Sequence, residues 1–347
     1  MTAGDLRSVI EATHASTADP IVDRAVFGTD RPEEIERLLS GFCESTLGAR
    51  IASARFYRVS AACVAGVALD DGREVVIKAQ RGQRKEAYLR ACTAFRRRLL
   101  DQGFPCPRPL AEATRVGPAW VLAEELVTRG SPGDAHEPST RRAIVGSLVR
   151  LASIGEGFSE GESLGRAWFS GLPEGQVFPR PHSPAFDFEG SEEGAEWIVA
   201  LAREARAVRA EGGGEARVVG HFDYRVEHLR FEGGRVVATF DWDSLHFERL
   251  AVWIGALTPH FTTDWQRDDL ERAPSIDEMR AFVADFEALR GQAFSKVERR
   301  LLAASCVYGA AYTARCNHAA SPRDEGWNGD LRPLLRSHGR RILEHGL

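Results

Sequence analysis

Apolar residues recur at helical spacing in the first 50 residues of the chain. Ile35, Leu38, Leu39 and Phe42 form one apolar stripe, and Asp30 stands where the N-cap of such a helix would lie. From residue 50 onward the period changes to that of short strands. The N-terminal 50 residues therefore predict a helical segment that precedes a sheet.

Strand signals dominate the next part of the chain. Runs of small and β-branched residues are separated by turn residues, and Asp71-Gly72 is a strong hairpin turn. The predicted elements are strands at 54–60, 61–69, 74–79 and 119–127 and a helix at 85–102. The first 127 residues thus predict a small antiparallel sheet with helices.

After residue 127 the pattern is mostly helical. Ser275 and Ser295 each stand three residues before a glutamate, which is the capping-box spacing that opens a helix. Further predicted elements are helices at 139–154, 189–210 and 331–344 and strands at 216–219 and 235–240. Residues 156–188 have little periodicity, and an irregular segment of that length is usually functional or mobile.

A chain of 347 residues is too long for one ordinary core, so we expect two lobes. The change of pattern sets their boundary near residue 127. We expect an N-terminal lobe at 1–127, with a helical extension over 1–50, and a C-terminal lobe at 128–347.

Composition restricts the class of protein. Hydrophobic residues are 43% and charged residues 27% of the chain, which is typical of a globular protein, and no apolar run approaches the ~20 residues of a membrane helix. A formal charge of −5 argues against a nucleic-acid partner. No secretory signal is visible, and the six scattered cysteines fit reduced thiols. We expect a cytoplasmic monomer or homodimer that binds neither nucleic acid nor membrane.

The segment from Gly220 to Asp243 contains the most informative chemistry. Asp223 and Asp241 stand on either side of a predicted hairpin, each at the end of a short strand. Such a pair can hold one carboxylate against a substrate hydroxyl and another against a metal ion. Phosphoryl transfer needs this arrangement, because its catalysis is mostly positioning and neutralisation of charge.

This segment resembles the catalytic loop H-x-D-x-x-x-x-N of the protein-kinase-like fold, in its aminoglycoside phosphotransferase branch. His221-Phe222-Asp223 matches the start of the loop, and Asp241-Trp242-Asp243 resembles the D-W-[DE] of that branch. The resemblance implies an α+β, bilobal protein-kinase-like fold. Its small, nucleotide-binding lobe has an antiparallel sheet plus helices, and its large, mainly helical lobe is the catalytic and substrate-binding lobe.

Three features of the N-terminal lobe follow in the order that the resemblance requires. Lys78, in Val-Val-Ile-Lys, resembles the strand lysine that contacts the α- and β-phosphates, and Glu86 suits the glutamate that pairs with it. The segment 120–127 resembles the hinge whose backbone holds adenine, through Glu125, Leu126 and Val127. The implied cofactors are ATP or GTP with Mg²⁺, and Mn²⁺ is possible.

The resemblance also implies roles for the loop residues. Asp223 would accept or orient the proton of the attacking hydroxyl, and Asp241 would bind the metal ion. Arg225 stands where protein kinases place a lysine near the γ-phosphate, so it would stabilise charge there. His221 would support the backbone of the loop, and Trp242 would belong to the core.

Two departures from the family pattern stand out. The expected asparagine, the second metal ligand, is His228, and imidazole suits Mn²⁺ better than Mg²⁺. Either His228 or Glu227 is the substitute ligand, or metal binding is altered. The segment 58–66 has small residues but no glycine-rich phosphate loop, a motif that the aminoglycoside branch commonly lacks.

Alternatives remain open at the level of sequence. The protein could be a pseudokinase that binds nucleotide or a partner without turnover, which the histidine at position 228 favours. A protein kinase would have an activation-loop segment after Asp241, and the sequence has no such segment there. A metallohydrolase could use His221, Asp223, His228, Asp241 and His246 as ligands, but it leaves Lys78 and the hinge unexplained.

The resemblance implies that the acceptor is a small hydroxylated molecule, and an antibiotic of aminoglycoside or nucleoside type is the favoured class. Kinases of choline, homoserine or sugars are the other members that the family offers. Residues 156–196 contain nine acidic residues, which could attract a cationic acceptor or form a solvated surface. Their aromatic residues could stack on an acceptor or pin the segment to the core. These aromatic residues are Phe158, Trp168, Phe169, Phe178, Phe186 and Phe188.

Overall fold

A computed structural model describes residues 4–16, 19–82, 84–167, 169–211 and 216–347 of the chain. These residues form two compact units. The first unit contains residues up to Leu100, Pro107–Thr128 and the short segment His182–Ala185. The second contains Asp101–Cys106, Arg129–Pro181 and Phe186–Leu347. Trp168 and Gly212–Gly214 lie outside the described residues.

The first unit is a five-stranded antiparallel sheet with helices. The elements of this unit are α1 (Leu6–Ala15), α2 (Ile21–Phe27), α3 (Pro32–Phe42), β1 (Ile51–Val59), β2 (Cys63–Leu69), β3 (Glu74–Arg81), α4 (Glu86–Asp101), β4 (Thr114–Val116) and β5 (Ala119–Glu125). The strands have the order β1-β2-β3-β5-β4, and β2 and β3 are joined by the predicted Asp71-Gly72 hairpin.

Helices α1–α3 cover one face of this sheet and form the core of the unit with it. Ile35, Leu39 and Phe42 are buried there, which confirms the predicted apolar stripe. The predicted cap is wrong, because α3 begins at Pro32 and Asp30 instead pairs with Arg24. Proline is favoured at the first turn of a helix, where its missing N–H costs no hydrogen bond.

The second unit is mainly helical. Its long central helix α10 packs against α7, α8 and α11. The elements of this unit are α5 (Pro138–Gly155), α6 (Gly161–Leu164), α7 (Glu196–Glu211), β6 (Arg217–His221), β7 (Leu229–Glu232), β8 (Arg235–Thr239), β9 (Leu245–Arg249), α8 (Leu250–Leu257), α9 (Ile276–Arg290), α10 (Lys296–Ala320) and α11 (Arg332–His345).

Two small antiparallel sheets of this unit position the candidate site. β6 pairs with β9, and β7 pairs with β8 across a Gly233-Gly234 turn. Both capping boxes are confirmed, since Ser275 and Ser295 cap α9 and α10 through reciprocal hydrogen bonds with the glutamate three residues on.

Some sequence-based boundaries are wrong in instructive ways. The helix expected at 189–210 begins at Glu196, because residues 189–195 form turns that include Gly190 and Gly194. Strands β4 and β9 and helix α8 were not predicted. β4 has three residues, and α8 is apolar on all sides and buried from Ala251 to Leu257, so its sequence has no polar face that would reveal a helical period.

Among the described residues, none of the helices is both long enough and apolar enough to cross a membrane. All six cysteines are buried free thiols.

Candidate active site

The loop between β6 and β7 presents the predicted catalytic residues. β6 ends at His221, Asp223 follows two residues later, and a single 3₁₀ turn over Val226–His228 leads into β7. The β7–β8 hairpin then returns the chain, so that Asp241 follows β8 by two residues. The predicted arrangement of two aspartates on either side of a hairpin is confirmed.

His221 supports this loop through its ring and its backbone. Its Nδ1 atom accepts a hydrogen bond from the amide of Asp223 (3.1 Å), and its Nε2 atom bonds the carbonyl of Phe240 (3.1 Å). Complete burial lowers the pKa of His221, so the ring is neutral with its proton on Nε2. The expected structural role of His221 is confirmed, and it ties the two aspartate segments together.

Four side chains form one polar cluster at the end of these strands. Arg225 NH1 lies 3.2 Å from Oδ1 of Asp223, and Nε2 of His228 lies 3.1 Å from Oδ2 of the same carboxylate. The same Nε2 atom is 3.6 Å from Oδ2 of Asp241. The structure therefore brings together four of the predicted site residues.

The backbone at Asp241 is unusual. Its φ of 64° is in the left-handed region, where no other described residue except glycine is found. Aspartate tolerates this conformation better than most residues, but it still costs free energy, and such strain tends to occur at functional sites. The left-handed residue turns the chain sharply between β8 and the buried Trp242, whose burial confirms its predicted core role.

The side chains of the cluster shift the pKa values of Asp223 and His228. Burial opposes ionisation of Asp223, but Arg225 and then His228 outweigh it and hold the pKa of Asp223 well below its usual range. Burial and Arg225 both favour the neutral form of His228, yet Asp223 and Asp241 raise its pKa above the usual value. The cluster thus combines two carboxylates with two groups that compensate their charge.

The donor atoms of this cluster fit a divalent metal ion. One ligand atom each from Asp223, His228 and Asp241 can be chosen so that all three lie within 4.8 Å of one another. In an octahedral site with metal–ligand bonds of about 2.1 Å, two adjacent ligand atoms are about 3 Å apart. The distances from Nε2 of His228 to the carboxylates of Asp223 (3.1 Å) and Asp241 (3.6 Å) are close to this value. Carboxylate oxygens suit Mg²⁺, and the imidazole suits Mn²⁺ and related ions.

Sequence reasoning missed two neighbours of the cluster, Gln266 and His260. Glu227 Oε2 lies 3.1 Å from NH2 of Arg225, and Gln266 donates to Oε1 of Glu227 (3.3 Å). His260 lies near Arg225, and burial followed by this cation lowers the pKa of His260 to about 4. Gln266 and His260 are more than 30 residues from the loop motif in sequence, so no spacing pattern could have indicated them.

The N-terminal site residues lie in the first unit. Lys78 is on β3, where it is partly buried and stands opposite Val64 of β2 and Leu122 of β5. Glu86 is the first residue of α4, and its exposed carboxylate pairs with Arg90 (2.6 Å). The pairing of Glu86 with Lys78 stays a prediction.

The predicted hinge is the end of β5 and the residues that follow it. Glu125 ends β5, and its amide donates to the carbonyl of Arg108 (2.9 Å). The amide of Leu126 donates to the carbonyl of Glu74 (3.0 Å), so the sheet already uses this N–H. Val127 is partly buried. Contact of these residues with adenine stays a prediction.

The irregular segment after α5 is fastened to α10 by aromatic packing. Phe169 and Phe178 contact Tyr308 with ring centroids 5.2 and 5.8 Å apart, and Phe178 and Phe188 contact Tyr312 at 6.2 and 6.1 Å. The sequence left two roles open for these rings, which were stacking on an acceptor and pinning the segment to the core. The structure favours the second role for these three rings, since they pack against α10. All nine acidic residues of 156–196 are exposed.

Comparison with known proteins decides the family. The model of a phosphotransferase enzyme family matches residues 53–272, which is more than half of the chain and includes every predicted site residue. The chain belongs to this family. A search of the curated proteins found no relative of the sequence.

Solved structures similar to this phosphotransferase are kinases of small molecules. An amicoumacin kinase in complex with AMP-PNP and Ca²⁺ is 12% identical (TM-score 0.60, 84% of this chain and 88% of that chain covered). A spectinomycin phosphotransferase in complex with ADP and spectinomycin is 12% identical (0.52, 88% and 94%). An ethanolamine kinase from Plasmodium vivax is 11% identical (0.50, 84% and 83%).

These likenesses establish the fold of the phosphotransferase as α+β and protein-kinase-like, as the sequence predicted. At such low identity they say nothing about which acceptor this chain uses. Family membership makes the chain a small-molecule kinase, and the roles of its individual residues stay predictions.

Proposed function

We propose that this phosphotransferase moves the γ-phosphate of ATP or GTP to a hydroxyl of a small molecule, and that the acceptor is an antibiotic of aminoglycoside or nucleoside type. The observation that supports the reaction best is the cluster of Asp223, Arg225, His228 and Asp241 at the ends of two adjacent hairpin segments. It combines a carboxylate for the attacking hydroxyl with groups that neutralise phosphate charge.

Asp223 has the role of orienting the attacking hydroxyl. Because the pKa of Asp223 is held well below its usual range, its carboxylate is ionised and accepts a hydrogen bond readily, but it is a weak base. Phosphoryl transfer tolerates a weak base, since the loose transition state needs little charge on the attacking oxygen before the bond to phosphorus forms. Asp223 then takes up the proton late in the reaction.

Arg225 has two roles in this account. Its guanidinium holds the Asp223 carboxylate at 3.2 Å and is itself held by Glu227 at 3.1 Å. A guanidinium presents several donors in a fixed plane, so Arg225 can keep Asp223 in place while it offers another N–H to a phosphate oxygen. It would thereby stabilise charge that develops during transfer.

Asp241 and His228 are the proposed metal ligands. A divalent ion bound there, Mg²⁺ or Mn²⁺, would supply neutralisation of the phosphate charge. The left-handed backbone of Asp241 aims its carboxylate, and the 3₁₀ turn fixes His228 relative to Asp223. Of the two substitutes considered for the missing asparagine, His228 is favoured, because the Glu227 carboxylate is engaged by Arg225 and Gln266.

Nucleotide recognition is assigned to the first unit. Lys78 would contact the α- and β-phosphates, with Glu86 near it, and the segment Glu125, Leu126 and Val127 would hold adenine through backbone groups. Since the Leu126 amide is bonded to Glu74, recognition through Leu126 would use its carbonyl.

An antibiotic acceptor is supported by two observations. The nine exposed acidic residues of 156–196 would attract a cationic molecule. Two of the similar structures are an amicoumacin kinase and a spectinomycin phosphotransferase. A primary metabolite such as choline, homoserine or a sugar is the second candidate class, and the similar ethanolamine kinase favours a small amino alcohol within it.

Mass spectrometry of a panel of hydroxylated compounds tests this proposal. Aminoglycosides, nucleoside antibiotics, choline, homoserine and sugars are each incubated with the protein, ATP or GTP, and Mg²⁺ or Mn²⁺. A gain of one phosphate on an antibiotic supports the proposal, and a gain on a metabolite alone would replace the acceptor class. Nucleotide binding without any phosphate transfer would favour a pseudokinase, for which the histidine at position 228 is the main support.

A further inference from the structure

The sheet of the first unit has two faces of different character. One face packs against α1–α3 through buried apolar residues. The buried residues of the central strands on this face include Cys63, Ala65, Val67, Val75, Ile77 and Ala79. Because side chains alternate along a strand, Lys78 points to the opposite face. The same alternation places Arg58 on the face opposite to its buried neighbour Tyr57.

The ring of Phe56 confirms which face Arg58 occupies. A β-carbon at Gly66 would lie 2.3 Å from Cε1 of Phe56, so the ring lies directly across this glycine. Both chain neighbours of Gly66 point to the helical layer, so the ring lies on the other face, together with Lys78. The guanidinium carbon of Arg58 lies 5.2 Å from the centroid of this ring, which orients the exposed cation on that face.

Arg58 and Lys78 stand in the same cross-strand row. Arg58 pairs with Val64, and Val64 pairs with Lys78. The backbones of Arg58 and Lys78 are separated by two strand spacings, or about 10 Å. Both side chains are long enough to approach one polyphosphate from either side of Val64. The face thus carries two cations in register, with an apolar residue between them.

The turn that joins β1 to β2 is poorly suited to hold phosphates through its backbone. Residues 58–65 contain no glycine, so the chain there lacks the residues that let backbone amides approach phosphate oxygens most closely. The amide of Ser60 is already bonded to the carbonyl of Ala62 (3.0 Å). A cationic side chain beside this turn can supply the missing donors.

We propose that Arg58 binds the phosphate groups of the nucleotide together with Lys78 and replaces the backbone amides of a glycine-rich loop. This assignment rests on the proposed nucleotide-dependent function. The planar guanidinium can donate two parallel hydrogen bonds to a phosphate, which an isolated lysine ammonium does less well. The contact is with phosphate and not with the base, so its contribution grows with the number of phosphates.

Calorimetric titration of Arg58→Gln with ATP, ADP, AMP and adenosine tests the assignment. We expect the ATP affinity to fall by about 10- to 100-fold, the size typical of a lost hydrogen bond to a charged group. The AMP affinity falls less, and the adenosine affinity is unchanged. Arg58→Lys retains the charge but not the planar donors, so it has an intermediate ATP affinity.

Arg55→Gln is the matched control. Arg55 is an exposed arginine of the same strand that pairs with Glu74, and its replacement leaves ATP affinity unchanged. Wild-type ATP affinity in Arg58→Gln would overturn the assignment while the proposed function stands, and an equal loss for adenosine would overturn it as well. Failure of the wild-type protein to bind any of the four ligands or GTP would overturn the proposed function itself, and this assignment with it.

Discussion

The Nε2 atom of His228 lies 3.1 Å from the Oδ2 atom of Asp223. A histidine at the position of the family's metal-ligand asparagine is thus bonded to the aspartate proposed to orient the acceptor. The same ring reaches within 3.6 Å of the Asp241 carboxylate, so one side chain joins the acceptor-orienting and metal-binding parts of the site. The first prediction depends on this connection.

His228→Asn should change which metal ion the site prefers. Imidazole favours Mn²⁺ over Mg²⁺ more than an amide oxygen does. We therefore expect the ratio of the Mg²⁺ and Mn²⁺ dissociation constants, measured by calorimetry in the presence of ADP, to shift about tenfold toward Mg²⁺, the lower end of the range for changes around a metal site. His345→Asn, far out on α11 and exposed, serves as the control. An unchanged ratio would remove His228 from the ligand set.

Asp241→Asn should weaken binding of the metal–nucleotide complex but not of the nucleotide alone. Asparagine keeps the shape of the side chain and tolerates the left-handed backbone at this position, so the substitution removes mainly the charge. We expect the ATP affinity measured with Mg²⁺ or Mn²⁺ to fall about tenfold or more, the size typical of a lost charged contact. The affinity measured with EDTA stays the same. Asp277→Asn, at an exposed position of α9, should change neither value, and an Asp241→Asn protein that behaves in the same way would argue against a metal role.

Arg225→Gln should lower kcat by about 10²- to 10³-fold, which is typical when one stabilising donor of a transition state is removed. The variant also releases the Asp223 carboxylate from its cation. Arg225 and Asp223 act on the same step. The double variant Arg225→Gln/Asp223→Asn should therefore be hardly slower than the single variant Asp223→Asn. Steady-state measurement of kcat for the wild type, the two single variants and the double variant tests this expectation. If the losses in transition-state stabilisation of the single variants add up fully in the double variant, the two side chains work independently.

The contact between His136 and Glu278 should make stability depend on pH. His136 Nδ1 lies 2.7 Å from Oε1 of Glu278. Burial lowers the pKa of His136, but the carbonyl of Glu271 and the Glu278 carboxylate outweigh it, so the pKa of His136 is raised. A raised folded-state pKa stabilises the fold fully below the unfolded value of about 6.5, and this stabilisation is lost as the pH rises through the folded-state value.

Thermal unfolding of the wild type and His136→Gln measures this dependence. The difference between their Tm values should be larger at about pH 5.5 than at about pH 8.5. Glu278 has a lowered pKa, so its own contribution is present at both values and is lost only in acid. His345→Gln should show no such difference, and a pH-independent difference for His136→Gln would mean that the contact stabilises the fold without its charge.

The sequence was sufficient for the parts of the site that depend on residues close together along the chain. Asp223, Arg225 and His228 occupy one loop, and Asp241 follows after one hairpin, so the motif and the turn residues between them already implied that they meet. The capping boxes at Ser275 and Ser295 were predictable for the same reason, because a cap depends on contacts three residues apart.

The remaining features depend on tertiary structure. The approach of Gln266 and His260 to the loop depends on how the segment after α8 packs, which no local spacing reports. The left-handed backbone of Asp241 is imposed by the turn between β8 and the buried Trp242 and not by the residue's own preference. The role of the aromatic residues after α5 was undecidable from sequence, because both stacking on a ligand and packing on α10 need the same side chains.

The most direct test of the account is the rate of phosphate transfer by Asp223→Asn. The substitution keeps the size of the side chain but removes the carboxylate that orients the hydroxyl. We predict that turnover on the acceptor identified by the panel falls by about 10²- to 10⁴-fold, while the ATP affinity changes less than about twofold. Transfer at the wild-type rate by Asp223→Asn would contradict the central claim that this cluster is the catalytic centre.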